Sequence, residues 1–228
     1  MGQYWMAVNI AKKEKLEDKD HCHKQMEHSW KYNPFMLTVC ALLWSDWAGD
    51  EVRWVGDYTD LEDNGKSLYD IADKYTEPEV PHSIRDTLNR LDADEDGYCE
   101  AVEAWYKDKI LVNQDTGQWL HLGRYFRKER ENPERKPEDR NWVEHPVSLM
   151  LAAPGDGGGG DYPFPEEFGY GLFSGGKIAI VEEGQAPELK KEDDLTYIVS
   201  FYENRGHVLG TTPKPTDIVI KSTAAIDW

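Results

Sequence analysis

Residues 92 to 103 read Asp92-Ala-Asp94-Glu-Asp96-Gly97-Tyr98-Cys99-Glu100-Ala-Val-Glu103. Carboxylates at this spacing suit a hard divalent cation. A calcium ion takes roughly six to eight oxygen ligands, and alternate side chains in an extended loop converge on one point. Asp92, Asp94 and Asp96 would supply the first oxygens, and Gly97 would permit the turn that brings the chain back. Tyr98 would then offer its backbone carbonyl, Glu100 would act directly or through water, and Glu103 would bind with both oxygens. The spacing therefore predicts one calcium site. A second constellation lies upstream, where His21, Cys22 and His23 stand close to His28. Three imidazoles this close are zinc ligands by chemistry, with His21, His23 and His28 better suited than Cys22. No Cys-x-x-Cys or His-Glu-x-x-His spacing accompanies them, and a polar exposed segment without metal is the alternative that this lack favours.

The elements flanking residues 92–103 must position the carboxylates. Ile84, Leu88 and Leu91 recur at helical spacing before the loop, with Pro81 placed for a first helical turn. After it come Lys107 and Asp108 and then the strand-like Lys109-Ile-Leu-Val-Asn113, so the exiting helix is expected to be short or absent. The loop resembles the calcium loop of the EF-hand family at its D-x-D-x-D-G-x5-E positions. It departs from that pattern at Cys99, where an aliphatic residue is usual, and the chain has no second such loop to pair with it.

Read lengthwise, the chain repeats a plan. Trp5 to Asn9 and Lys109 to Asn113 each read as an apolar strand ending in Val-Asn, followed by a polar turn and a returning strand. Asn33-Pro34-Phe35 and His145-Pro146-Val147 then each open an apolar helical run, with proline in the first turn. Gly49-Asp50-Glu51-Val52 and Gly175-Gly176-Lys177-Ile178 each lead into a further strand. The sequence thus predicts two pseudo-repeats, 1–104 and 105–228, the second with longer loops. The fold class expected is α+β, rich in antiparallel sheet with a few short helices. Ser67 is placed to cap a short helix. Residues 127–141, a charged run without apolar periodicity, read as a solvated loop. Residues 195–202 and 217–221 are rich in β-formers, and the glycine run near 154–162 reads as a flexible loop.

Composition narrows the function. The 228 residues carry a formal net charge of −18, and the pI is near 4.7. Nonspecific nucleic-acid binding needs clustered Lys and Arg, so nucleic acid and anionic membranes are excluded as partners and a cationic protein partner is favoured. Nine Trp and twelve Tyr also suit a protein interface or a sugar-binding face. Three cysteines form no even set, which points to a reducing, cytoplasmic setting. The apolar run from Phe35 to Trp44 is too short to span a bilayer. Cys40 lies within that run and reads as inert core, and Asp46, Asp50 and Asp57 read as solvated turn residues.

Met1-Gly-Gln-Tyr-Trp5 with Val8-Asn9, Trp47-Ala-Gly-Asp50, Val55-Gly-Asp-Tyr58 and the segment from His145-Pro146 to Gly159-Gly-Asp-Tyr162 are similar to an uncharacterised family of bacterial and fungal proteins. That resemblance implies no function. Three readings therefore stand. The first is an acidic, non-enzymatic protein that binds calcium or a protein partner, and the second is a zinc hydrolase built on His21, His23 and His28. The third is a calcium-dependent carbohydrate-binding protein.

Overall fold

Two hairpins built on asparagine turns form the outer thirds of the sheet. The computed structural model describes residues 4–17, 30–60, 65–92, 97–133, 143, 145–153, 171–186, 189–190 and 193–196. In the first hairpin, β1 (Trp5–Asn9) returns as β2 (Glu14–Leu16), and Asn9 Oδ1 accepts the Lys12 amide at 3.0 Å. In the second, β4 (Lys109–Asn113) returns as β5 (Trp119–His121), and Asn113 Oδ1 accepts the amides of Asp115 and Thr116 at 3.0 and 3.4 Å. Asparagine side chains that bond the following backbone in this way stabilise turns without help from distant residues.

Strands β3 (Asp50–Gly56) and β6 (Lys177–Glu182) join the hairpins into a six-stranded antiparallel sheet of order β2-β1-β3-β6-β4-β5. Asn9 faces Val52 across β1 and β3, while Asn113 faces Ile178 across β4 and β6. The middle strands meet through Asp50 opposite Ile178 and Glu51 opposite Lys177. From either edge, the order is therefore returning strand, first hairpin strand, late strand.

Alternation assigns the two faces. Trp5, Ala7, Val52, Trp54, Leu111, Ile178 and Ile180 belong to one large core, to which residues before and after position 104 both contribute. On the opposite face Met6, Val8 and Val55 form a smaller cluster with Leu68 and Ala72, and Ile110, Val112 and Trp119 form another.

Helix α1 (Pro34–Trp44) buries nine of its eleven residues, as a helix apolar all round must. Asn33 caps it, accepting the amides of Phe35 and Met36 at 2.8 and 3.4 Å. Ser67 caps α2 (Leu68–Ala72) as expected. Helix α3 (His82–Asp92) packs on α1 and on α4 (Tyr98–Tyr106), burying Ile84. Helix α5 (Leu122–Glu131) contacts α4, β4 and β5, and α6 (Pro146–Met150) is capped by His145 Nδ1, which accepts the Val147 amide at 3.2 Å. A single 3-10 turn, Glu183–Gln185, follows β6.

This is the expected α+β architecture with antiparallel sheet and short helices. The helix after the acidic loop is present, nine residues long, and it starts at Tyr98, inside the span read as a calcium loop. Gly97, at φ +100°, turns the chain directly into it. The boundary expected between residues 104 and 105 falls within that helix, and the nearest break is the turn at Lys107 and Asp108. One local expectation is corrected, that residues 127–141 are loop throughout. Residues 127–131 are the last turns of α5, because Leu122, Tyr125 and Phe126 bury one face and hold the polar remainder helical. Among the described residues, no helix is long and apolar enough to cross a membrane. Residues 154–162, 197–202 and 217–221 lie outside the described residues.

The seat of α5 rests on one glycine. A Cβ at Gly123 would lie 2.4 Å from the Lys107 carbonyl oxygen and 3.0 Å from the Lys107 carbonyl carbon and Cα. Helix propensity alone would favour alanine there by about 1 kcal/mol. Backbone cannot yield as a side-chain tip can, so Gly123→Ala should instead destabilise the fold by about 1–3 kcal/mol. Denaturant melts check the sign.

Candidate anion-binding site

Lys31 stands just before α1, its backbone tied to Val143 by a 2.9 Å hydrogen bond, and its side chain is only 7 % exposed. A lysine buried to this extent must find a carboxylate or lose its charge. It finds Glu103 on α4. Lys31 Nζ donates to Glu103 Oε1 at 2.7 Å, the Tyr32 hydroxyl donates to the same oxygen at 2.6 Å, and Arg130 Nη1 reaches it at 3.3 Å. The ammonium also lies 4.7 Å from the Tyr32 ring centroid and 5.5 Å from that of Phe126, both within cation–π range. Burial raises the Glu103 carboxyl, but the bonds from Lys31 and Tyr32 and the charges of Lys31 and Arg130 outweigh it and hold the group below its ordinary range. Burial lowers Lys31, and Glu103 offsets only part of that effect.

Around this pair, α4 and α5 leave a cavity of about 270 Å³. Gly123, Phe126, Arg127 and Arg130 line it from α5 at the spacing that stacks residues along one helical face. Glu103, Ala104 and Lys107 face them from the α4 side, with Tyr106 and Lys31 completing the lining. Four cations meet one carboxylate here, a local surplus of three positive charges in a chain of net charge −18. Lys31 and Arg130 are engaged with Glu103, whereas Arg127 and Lys107 form no hydrogen bond or ion pair among the described residues. The wall thus offers cationic donors unpaired among the described residues beside aromatic surface, a combination suited to an anion that carries an organic group.

Of the residues read as calcium ligands, Tyr98, Glu100 and Glu103 have described side chains. Asp92 is the last residue of α3, and Asp94 and Asp96 lie outside the described residues. Tyr98 is the first residue of α4, which directs its carbonyl along the helix axis toward the next turn rather than back toward the loop. Its hydroxyl donates to the Tyr32 carbonyl at 3.0 Å, and burial pushes the phenol up to about 12. Glu100 is exposed in the first helical turn. Glu103 spends one oxygen on three donors. His21, His23 and His28 lie outside the described residues. Among those described, no three His, Cys, Asp or Glu side chains are grouped to hold a metal.

Lys31, Arg127 and Arg130 were not singled out by sequence reasoning. The available signal was the Gly123-x-x-Phe126-Arg127-x-x-Arg130 spacing, hidden when residues 127–141 were read as loop. Of the three carboxylates read as solvated turn residues, Asp46 is exposed in a turn, whereas Asp50 is half-buried as the first residue of β3 and accepts from Asn9 Nδ2 at 2.9 Å, and Asp57 is half-buried and accepts the Tyr4 amide at 3.2 Å.

Behind the cavity, Cys40 is core. Its Sγ lies 3.5 Å from His145 Nε2, which is 3.2 Å from the Tyr106 hydroxyl, and all three groups are buried. Burial drives the thiol far above its ordinary range and holds the imidazole down to about 3, so this is no thiolate–imidazolium nucleophile. Because Nδ1 accepts the Val147 amide, Nε2 carries the ring proton. No protein-family model matches the chain, and no curated protein or solved structure matches it either.

The buried imidazole makes stability depend on pH. Unfolded, the ring titrates near 6.5, and folded, near 3. Between these values the unfolded chain takes up a proton that the native one refuses, so this contribution is complete above 6.5 and declines as pH falls toward 3. His145→Asn keeps a capping oxygen, as Asn33 does for α1, and removes the titration. Its overall stability should be lower, but its loss of stability from pH 6.5 to 3 should be shallower than the native protein's, as read in melts across that window.

Proposed function

We propose that this chain is a non-enzymatic binding protein whose ligand, a small organic anion, sits in the cavity between α4 and α5. One observation carries the reading: three positive charges in excess converge on a concave site in a strongly acidic protein. The overall charge repels polyanions at long range, but screening confines that repulsion to roughly 10 Å or less at physiological salt. A small anion inside the cavity therefore meets Arg127, Lys107 and Arg130 first. Nucleic acid, too large for the cavity, meets the acidic surface instead. Among the described residues Cys40 and Cys99 are free thiols, which accords with a cytoplasmic setting.

Anion binding should raise the melting temperature as inorganic phosphate is added at constant ionic strength. Hydrogen bonds to charged groups contribute about 1.5–3 kcal/mol each when desolvated, and less at an exposed rim. Arg127→Ala, which removes an exposed and unpaired side chain, should leave the ligand-free melt nearly unchanged and abolish most of the phosphate-induced rise. A native protein whose melt ignores phosphate rules the reading out.

Calcium is a second reading, favoured by one feature: Asp92 closes one helix and the left-handed Gly97 opens the next, so two helices flank the acidic run. Asp92, Asp94, Asp96, Glu100 and Glu103 would be its ligands. Binding of this kind requires the first turn of α4 to release the Tyr98 carbonyl and Glu103 to leave Lys31. Titration calorimetry with calcium chloride discriminates: uptake that Asp96→Asn and Glu103→Gln each weaken at least tenfold supports the site, and silence at millimolar calcium ends it.

We also propose that the chain arose by internal duplication. The palindromic strand order supports this, as do the Asn9 and Asn113 turns, the matching registers opposite Val52 and Ile178, and the capped prolines at Pro34 and Pro146. The turn residues Lys13 and Gly117 both take positive φ, at 56° and 76°. On this reading the cavity belongs to neither repeat alone, since Lys31 comes from the first and α5 from the second.

A further inference from the structure

Resting on the anion reading above, we infer that the ligand is a phosphate monoester, bound as a dianion, and that Glu103 sets this charge requirement by occupying Lys31. The charges around the cavity divide into two groups. Lys31 is committed to Glu103, with Tyr32 locking the same oxygen, so this cation is answered within the protein. Arg130 touches Glu103 through one nitrogen at 3.3 Å and keeps its remaining donors. Arg127 and Lys107 have no partner among the described residues. Among the described residues two cations are uncommitted and a third is partly so, which matches two negative charges on the ligand. A monoanion would leave a cation unanswered.

Geometry narrows the class further. Arg127 and Arg130 lie three residues apart on α5, so their side chains rise from neighbouring points of one face, roughly 5–6 Å apart at Cβ. Guanidinium forks at that separation suit a tetrahedral group whose oxygens point in several directions, each fork taking an oxygen pair. Lys107, a point charge on the opposite wall, approaches the remaining oxygen. The cavity holds about 270 Å³, of which a bare phosphate fills about half if each heavy atom takes the ~30 Å³ share of a water. The lining also includes Phe126, Ala104 and Tyr106, which leaves apolar surface for the remaining volume. This apolar side is where the esterified group would rest.

Glu103 caps the charge that the site can answer. It holds Lys31 by a charge-assisted bond and places its own negative charge in the wall, where it repels a dianion about twice as strongly as a monoanion. The cations it leaves uncommitted therefore answer two ligand charges and no more.

Calorimetry at pH 7.5 with methyl phosphate, dimethyl phosphate, acetate, succinate and sulfate tests the inference on the full chain. Methyl phosphate should bind at least tenfold tighter than dimethyl phosphate, which has the same tetrahedral centre but one charge, and tighter than acetate. Equal affinities for the two esters overturn the dianion requirement. Succinate binding as tightly as methyl phosphate overturns the phosphate class, and sulfate binding tighter than methyl phosphate overturns a role for the ester group. If none of the five binds, the anion reading itself falls. Glu103→Gln frees the Lys31 charge and removes a repulsion that acts about twice as strongly on a dianion as on a monoanion, so it should strengthen binding of both esters and widen the ratio between them several-fold. A ratio unchanged or narrowed in a folded Glu103→Gln protein overturns the role of Glu103. Should that variant fail to fold by circular dichroism, Arg127→Gln replaces it: the ester ratio should then fall at least threefold, and an unchanged ratio overturns the two-cation account.

Discussion

A buried ammonium is the constraint on which the region around α4 and α5 depends. Lys31 is nearly inaccessible, and an uncompensated charge in such a place would cost several kcal/mol. Its rescue by Glu103 fixes the rotation of α4, because Glu103 must face Lys31 and Tyr32. With that face turned inward, Val102 and Tyr106 meet the core, and Lys107 is left at the rim of the cavity. The same oxygen draws in Arg130 and so aligns α5. The pair thus acts less as glue than as an index, setting which side chains of two helices look at each other. Breaking such a pair by removing one partner costs about 3–5 kcal/mol when both members are buried. Glu103 is 40 % exposed, so the cost here is smaller and exchange with a ligand is thermodynamically accessible.

The sheet supplies the frame for that indexing. Its middle strands β3 and β6 contribute Trp54 and Ile180 to one core, which Leu111 of β4 and Phe35 of α1 complete. Strand β4 emerges directly from the turn at Lys107 and Asp108, and β5 runs directly into α5. The beginning of α5 is therefore placed by the hairpin of β4 and β5, and Gly123 lets it come within van der Waals distance of the Lys107 backbone. Cavity shape follows from this approach. Farther in, His145 caps α6 with Nδ1 and meets Cys40 and Tyr106 with its protonated Nε2, so a polar network that resembles catalytic machinery serves packing instead.

Much of the architecture was legible in the residues. Asn33-Pro34 followed by an unbroken apolar run specifies the start and full burial of α1. Val8-Asn9 and Val112-Asn113 specify strand ends and turns, since the asparagine side chain bonds its own turn. Local physics determines each of these elements. The site was legible only in part. Carboxylate spacing at 92–103 is a local signal, but the fate of Glu103 is decided by Lys31 and Tyr32, more than seventy residues earlier in the chain. Likewise, the polar tail of α5 shows no apolar period of its own, and Tyr125 and Phe126 hold it helical from before the charged run begins. Spacing within one segment indicates which side chains can converge. The partner segment, which the sequence does not display, decides which of them do.

The central claim is that small anions bind between α4 and α5. Backbone amide chemical shifts recorded by NMR during titration with methyl phosphate at constant ionic strength test it most directly. The account predicts saturable shifts concentrated at Lys107, Gly123, Arg127 and Arg130, with smaller ones at Glu103 and Lys31. Shifts that are absent, that never saturate, or that gather elsewhere on the sheet would contradict it.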